Sequence, residues 1–227
     1  MTVCEYYFVH PALLAMAIPA LSQAVTLEEF QRQSGIISKR TARCVLGYLL
    51  RRGIGRRVSQ YGYSFSNADR MKLAILAIQS GNDVERISES LSWQDFEAFA
   101  SNLLNLSGYM TECNLHFSKS SRMQIDVVGF NRKSRLAIVL DCKHWKQNHL
   151  SSISSYAIKQ AQRASELLTH RRMISHAIPV ILTLYPMDIR FADGVPLVPI
   201  AKFNSFVQDL QFYISEINVV YGTNTTD

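Results

Sequence analysis

Cysteine is too sparse and too scattered in this sequence to staple a fold. Cys4, Cys44, Cys113 and Cys142 form no CxxC pair, so neither a zinc knuckle nor a disulfide framework is signalled, and the thiols read as reduced. Long apolar runs are missing too. The stretch from Pro11 to Val25 has no basic region before it, follows Glu5 and is broken by Pro19, which argues against a secretion signal. It is also too short to cross a bilayer. It reads as a buried first helix, and the chain as a cytoplasmic protein with no membrane partner. His10, His116, His149, His170 and His176 show no ligand spacing, which speaks against a histidine-based zinc site. No internal repeat or low-complexity segment is found.

What is there is an ordinary globular composition, 48% hydrophobic and 19% charged over 227 residues, enough for two modest domains. The charge is not evenly spread. Residues 1 to 80 hold 10 Lys and Arg against 4 Asp and Glu, while residues 81 to 227 hold 14 of each. The whole net charge of +6 therefore belongs to the N-terminal third, as expected where one module grips a polyanion and another acts on it.

The local pattern gives that basic third an architecture. Thr26 and Glu29 have the spacing of a capping box ahead of Leu27 and Phe30, so a helix starts there and stops near Gly35. Ser38 opens a second helix with Ala42, Val45, Leu46, Leu49 and Leu50 on its apolar face and Lys39, Arg40 and Arg43 on its exposed first turns. Gly53 ends it. Residues Ile54 to Ser66 place Val58, Tyr61, Tyr63 and Phe65 between Gly55 and Gly62, a β-hairpin carrying Arg56 and Arg57. Helix, helix and hairpin in this order make a winged helix-turn-helix, whose second helix enters the major groove while the wing follows the backbone. Lys39, Arg40, Arg43, Arg56 and Arg57 are the expected DNA contacts, although the same residues would serve to solvate a surface or to meet a protein. A helix over Asn67 to Gln79 follows, and Ser80-Gly81-Asn82-Asp83 marks a junction: residues 1–81 form the DNA-binding domain and 82–227 the second domain.

Beyond the junction the order is a helix (Ser92 to Ser107), strands near 109–117, 123–130 and 135–143, a helix (about 154–170), a strand (Ala177 to Leu184) and a last helix (Asn204 to Ile217). This is a mixed α/β sandwich around a central sheet. Asp126 sits in the run Met123-Gln124-Ile125-Asp126-Val127-Val128-Gly129, where an uncompensated charge is costly to bury. The next strand, Leu136 to Lys143, climbs through apolar residues and ends in Asp141-Cys142-Lys143. Side chains alternate along a strand, so Asp141 and Lys143 share a face and Cys142 takes the other. Two carboxylates at neighbouring strand ends can hold a hard divalent cation through oxygen, with a lysine nearby to stabilise phosphate charge or position a water. The same residues would also make a surface ion pair.

These residues resemble the PD-(D/E)xK nucleases, with Asp126 as the first acid and Asp141-Cys142-Lys143 as the D-x-K element, and most of all the Mrr-type restriction endonucleases and archaeal Holliday-junction resolvases. The resemblance runs over about Ser92 to Ile217. It implies a restriction-endonuclease-like fold and a Mg2+-dependent endodeoxyribonuclease, with Mn2+ as a substitute and no small-molecule cofactor. Catalytic roles are implied for Glu97, from the phrase Trp93-Gln94-Asp95-Phe96-Glu97-Ala98-Phe99, for Asp126, Asp141 and Lys143, and for Gln160 on the helix after the D-x-K strand, with Gln162 as the other choice. Asp126, Asp141, the Cys142 backbone carbonyl and Glu97 are the implied metal ligands. DNA is the expected partner, and a homodimer would allow both strands to be cut. A silent nuclease fold used for DNA binding, an RNA-directed nuclease and a winged-helix regulator are the rival readings.

Overall fold

Capping chemistry sets most boundaries in the N-terminal part. The computed structural model describes residues 9–117, 123–143, 145 and 150–222, and their contacts divide the chain into two units, Met1–Asp95 and Phe96–Asp227. Helix α1 (Pro11–Ala17) places Pro11 in its first turn, where a missing N–H costs nothing. The long first helix expected up to Val25 is cut short. Pro19 falls in a 3-10 turn over Ile18–Ala20, because its ring cannot continue an α-helix.

Strand β1 (Val25–Thr26) leads into α2 (Leu27–Ser34). The expected capping box is formed: Glu29 N–H donates to Thr26 Oγ1 at 3.2 Å, and Thr26 N–H donates to Glu29 Oε2 at 2.8 Å. Gly35, at φ +70°, closes the helix in the left-handed conformation that suits glycine. Helix α3 (Lys39–Arg51) is capped by Ser38 and buries Ala42, Val45, Leu46 and Leu49. Strands β2 (Arg56–Arg57) and β3 (Gly62–Ser64) form the hairpin, and β1 pairs with the free side of β3 to give a three-stranded antiparallel sheet in the order β1-β3-β2. A second capping box, Ser66 with Asp69, starts α4 (Asn67–Gln79).

Residues 82–95, expected in the second domain, pack with the first unit. Helix α5 (Val84–Glu89) lies against α4, and Asn82 Nδ2 donates to the carbonyls of Pro11 and Ala77, both at 2.9 Å. The unit then reaches Asp95 through an ion pair, Arg70 to Asp95 Oδ2 at 2.7 Å, in which the carboxylate is 4% exposed. Removing one member of such a pair strands the other in a poor solvent, so it clamps the segment.

The second unit is built on a mixed sheet. Helix α6 (Trp93–Leu106) precedes β4 (Met110–Phe117), β5 (Met123–Asn131), β6 (Leu136–Lys143), α7 (Leu150–His170), β7 (His176–Thr183), β8 (Phe191–Ala192), β9 (Val195–Pro199), α8 (Ile200–Gln208), α9 (Leu210–Tyr213) and β10 (Val220–Tyr221). Among the described residues seven strands join in the order β4-β5-β6-β7-β9-β8, with β10 added to β7. Pairs β4·β5 and β5·β6 are antiparallel, while β6·β7 and β7·β9 are parallel. Strand β6 is buried from Leu136 to Cys142, which is why it reads as an unbroken apolar run. On one face, Val128, Ala137, Val139 and Ala177 pack against Ala164, Leu167 and Leu168 of α7. On the other, Leu104 of α6 comes so close that a Cβ on Gly129 would stand 2.7 Å from its Cδ1. Glycine is there to admit the helix.

Pro179 lies inside β7 without breaking it. On that strand's outer side β10 pairs at His176 and Ala177 and β9 pairs from Ile181 to Thr183, so the proline, which cannot donate, falls in the gap between them. The single last helix expected over Asn204 to Ile217 is two: α8 starts earlier, directly after Pro199, and stops at Asp209, before α9. The tail after Gly222 lies outside the described residues.

Candidate active site

The register of β5 on β6 brings the two aspartates together. Val127 is opposite Leu140 and Val128 opposite Val139; one further step sets Asp126 across from Asp141. Like charges directly opposed are unfavourable in a sheet, and the ladder does stop one residue short of them. Asp126 instead accepts a hydrogen bond from the Cys142 backbone N–H through Oδ2 at 2.8 Å. On its other side the pairing of β4 with β5 skips the position opposite Asp126, where Asn114 takes φ +53°. Asparagine tolerates that conformation better than most residues. The sheet is thus irregular on both sides of Asp126.

Asp141 is 2% exposed and held by two cations. Lys143 Nζ donates to Oδ1 at 3.0 Å and stands 3.0 Å from Oδ2, too poorly angled to count as a hydrogen bond. Arg163 of α7 donates to Oδ1 at 2.8 Å. Oδ2 is buried and accepts no hydrogen bond among the described residues. Burial holds the Asp126 carboxyl above its ordinary pKa, and the charge of Asp141 adds to this, while the Cys142 N–H, Lys143 and Arg163 oppose it. The buried Cys142 thiol is pushed well up, first by desolvation and then by the charges of Asp126, Glu97 and Asp141. It is no nucleophile.

Helix α7 presents Tyr156, Gln160 and Arg163 along one stripe. Tyr156 lies under Lys143, with Nζ 5.4 Å from the ring centroid, and also meets Trp145 at 4.9 Å. Gln160 is fully buried and does not touch either aspartate. Its Nε2 donates to the Val139 carbonyl at 2.8 Å and more weakly to that of Val180 at 3.3 Å, which leaves Oε1 to accept from Arg163 at 3.0 Å. Gln160 therefore bolts α7 to β6 and β7 and holds Arg163 in place. Arg163 was not among the expected residues. Its signal was present in the sequence, a cation three positions after Gln160 and so on the same helical face.

Glu97 is buried on α6, the helix on the face of the sheet opposite α7. Its charge is felt at Cys142, whose side chain alternates away from Asp141. Asp126, Asp141 and Lys143 are thus brought together, Gln160 stands behind them, and Glu97 is buried on α6 within electrostatic reach of Cys142. Among the described residues no three His, Cys, Asp or Glu side chains converge as a metal cluster. Two carboxylates with the Cys142 carbonyl nevertheless make an all-oxygen donor set suited to a hard divalent cation, and the buried Asp141 Oδ2, in ionic contact with Lys143 but accepting no hydrogen bond, keeps acceptor capacity for such an ion. His144, Lys146 and His149 lie outside the described residues.

In the first unit the expected DNA contacts all reach the surface. Lys39, Arg40, Arg43, Arg56 and Arg57 are exposed. Lys39 pairs with Glu28 at 2.8 Å, and Arg57 donates to the carbonyls of Ser59 and Gln60 across the hairpin tip. Ile37, 97% exposed just ahead of α3, and Tyr61, 71% exposed at the hairpin tip, are exposed apolar groups in the same unit.

Residues 88–174 match the restriction endonuclease family, a span that includes Glu97, Asp126, Asp141, Lys143, Gln160 and Arg163. A restriction endonuclease domain over this span supports the PD-(D/E)xK nuclease superfamily for that part of the chain. The mixed α/β architecture with its seven-stranded sheet fits a restriction-endonuclease-like fold. An uncharacterized protein of Archaeoglobus fulgidus is 32% identical over 135 residues, 56% of this chain and 97% of the archaeal one. Among solved structures, protein VC1899 from Vibrio cholerae is similar at 12% identity and a TM-score of 0.42; the match covers 92% of this chain and spans about half, 52%, of that one. No helix among the described residues is long and apolar enough to cross a membrane.

Proposed function

We propose that this chain is a divalent-metal-dependent endodeoxyribonuclease whose N-terminal unit is a winged helix that holds duplex DNA. The observation that carries the catalytic part is the meeting of Asp126 and Asp141 across two strands, with Lys143 on the same face as Asp141. A buried carboxylate facing a half-buried one is costly without a cation, and a restriction-endonuclease domain supplies a reaction in which such a pair is needed.

In this reading Asp126, Asp141 and the Cys142 carbonyl hold Mg2+, with Mn2+ as a substitute. A cation bound there supplies Lewis acidity toward the phosphoryl oxygen and a water of lowered pKa. Lys143, tethered to Asp141 and seated over Tyr156, keeps its ammonium at the mouth of the site, where it stabilises charge on the phosphate in flight. Gln160 acts as a positioning residue, fixing α7 against the strands that bear the acids. Glu97, buried on α6, assists directly or through water. In the first unit α3 offers Arg40 and Arg43 to the major groove, and the β2–β3 hairpin lays Arg56 and Arg57 along the phosphates.

The test is cleavage of labelled duplex, branched and single-stranded DNA with Mg2+ or Mn2+, comparing wild type with Asp141→Ala and Lys143→Ala. Cutting by wild type, with both variants binding but inactive, supports the reading. Tight binding by wild type with no product in either metal refutes the catalytic half. It would favour a silent nuclease fold, a second reading suggested by the two cations that already balance the charge of Asp141. Structured RNA in the same panel separates the RNA-directed alternative.

A further inference from the structure

A cation with no part in the scheme above sits directly on Asp141. Arg163 reaches it from α7, and a single guanidinium nitrogen serves both Asp141 Oδ1 at 2.8 Å and Gln160 Oε1 at 3.0 Å. The arrangement is built rather than incidental. Gln160 is fully buried and its amide is oriented by two main-chain carbonyls, so the oxygen it turns to Arg163 is fixed. Asp141 is buried as well, whereas the Arg163 side chain is 23% exposed. Of the three, only the arginine has room to move.

The charges make the position consequential. A divalent cation on Asp126 and Asp141 would share a carboxylate with the guanidinium, and two like charges a few ångströms apart repel strongly in a partly desolvated site. Lys143 stays tethered two residues along the same strand, but Arg163 can swing out toward solvent. We propose that Arg163 is a resident counter-cation of Asp141, compensating its buried charge while the metal is absent and yielding to the metal when it binds, so that it sets the metal affinity of the site. This rests on the reading of Asp126 and Asp141 as cation ligands.

Arg163→Gln keeps a donor of hydrogen bonds but removes the charge; Arg163→Lys keeps the charge and loses the planar fork. Mn2+ binding is measured without DNA by electron paramagnetic resonance, on wild type, both variants and an Asp141→Asn control, each first shown to unfold cooperatively on heating. The expected result is Mn2+ affinity about tenfold higher in Arg163→Gln, near wild type in Arg163→Lys, and lost in Asp141→Asn. Mn2+ bound by wild type but no more tightly, or less tightly, by Arg163→Gln would overturn the proposal and leave Arg163 as an orienting group for Asp141. Equal tightening in both variants would overturn it too, because charge would then not be the cause. Failure of every variant to bind Mn2+ would instead sink the reading of the aspartates, and the proposal with it.

Discussion

The two units use their cations in opposite ways. In Met1–Asp95 the residues Arg40, Arg43, Arg51, Arg52, Arg56 and Arg57 stand in solvent, where an ion pair adds little to folding. In Phe96–Asp227 Lys143 and Arg163 are turned onto one buried carboxylate, and a buried charge left without partners is strongly destabilising. The first arrangement keeps positive charge available to something outside the chain. The second keeps it for the chain's own acids. Arg70 with Asp95 is the exception in the first unit, and it is a buried structural clamp rather than part of the exposed set.

The sharpest way to break this comparison is at Asp141. Asp141→Asn should lower the cleavage rate on the order of 10³-fold, as expected for loss of a group that acts in the transition state, while leaving duplex affinity unchanged in a filter-binding titration. A parallel loss of DNA binding would mean that the second unit also carries the grip. Next in size is Gln160→Leu. The variant removes the buried hydrogen bonds from α7 to the Val139 and Val180 carbonyls and should cost about 2 kcal/mol in urea unfolding, with metal affinity altered through Arg163; an unchanged unfolding midpoint would show that α7 does not need its bolt.

A smaller effect is expected from the exposed set. Arg40→Ala combined with Arg43→Ala should weaken duplex binding about tenfold and reduce the salt dependence of binding by about two counterions, with thermal stability unaltered. Loss of stability instead of affinity would erase the distinction between the units. The smallest concerns pH. Asp126 has a folded pKa above its unfolded value, so the folded state binds its proton more tightly, and the penalty appears as pH rises from the ordinary carboxylate range through the raised folded value. Asp126→Asn, whose amide oxygen can still accept from Cys142, should therefore be more stable than wild type at neutral pH and no more stable once the pH falls below the unfolded carboxylate pKa. Melting temperatures across that range, without divalent metal, would check the sign.

Several elements were legible residue by residue. The Thr26–Glu29 capping box, the Ser38 cap and the Asn67–Gln79 helix depend on contacts within one turn, which sequence displays directly. So does the face shared by Asp141 and Lys143, since alternation is a property of any strand. The two-residue strands β1 and β10 were not legible, because each exists only through its partner, β3 or β7. Helix α5 was missed for a related reason: six residues carry too little periodicity to stand out, and packing on α4 supports them. The break between α8 and α9 was hidden as well, since Asn204 to Ile217 keeps apolar residues through the interruption at Asp209.

The candidate site divides along the same line. Asp126, Asp141 and Lys143 could be named from the strands that bear them, because a charge within an apolar strand or at its end stands out against the cost of burying it. Sequence by itself determined the basic first third, the capped helices, the apolar strands and those three charges, all consequences of neighbours in the chain. Tertiary structure decided that Asp126 faces Asp141, that Gln160 turns to two carbonyls instead of the acids, that Glu97 is buried on α6, and that Arg163 reaches Asp141 from twenty-two residues away. Those outcomes depend on strand register and on how α6 and α7 settle on opposite faces of the sheet, and no local pattern encodes the distance between two segments before the core between them has packed.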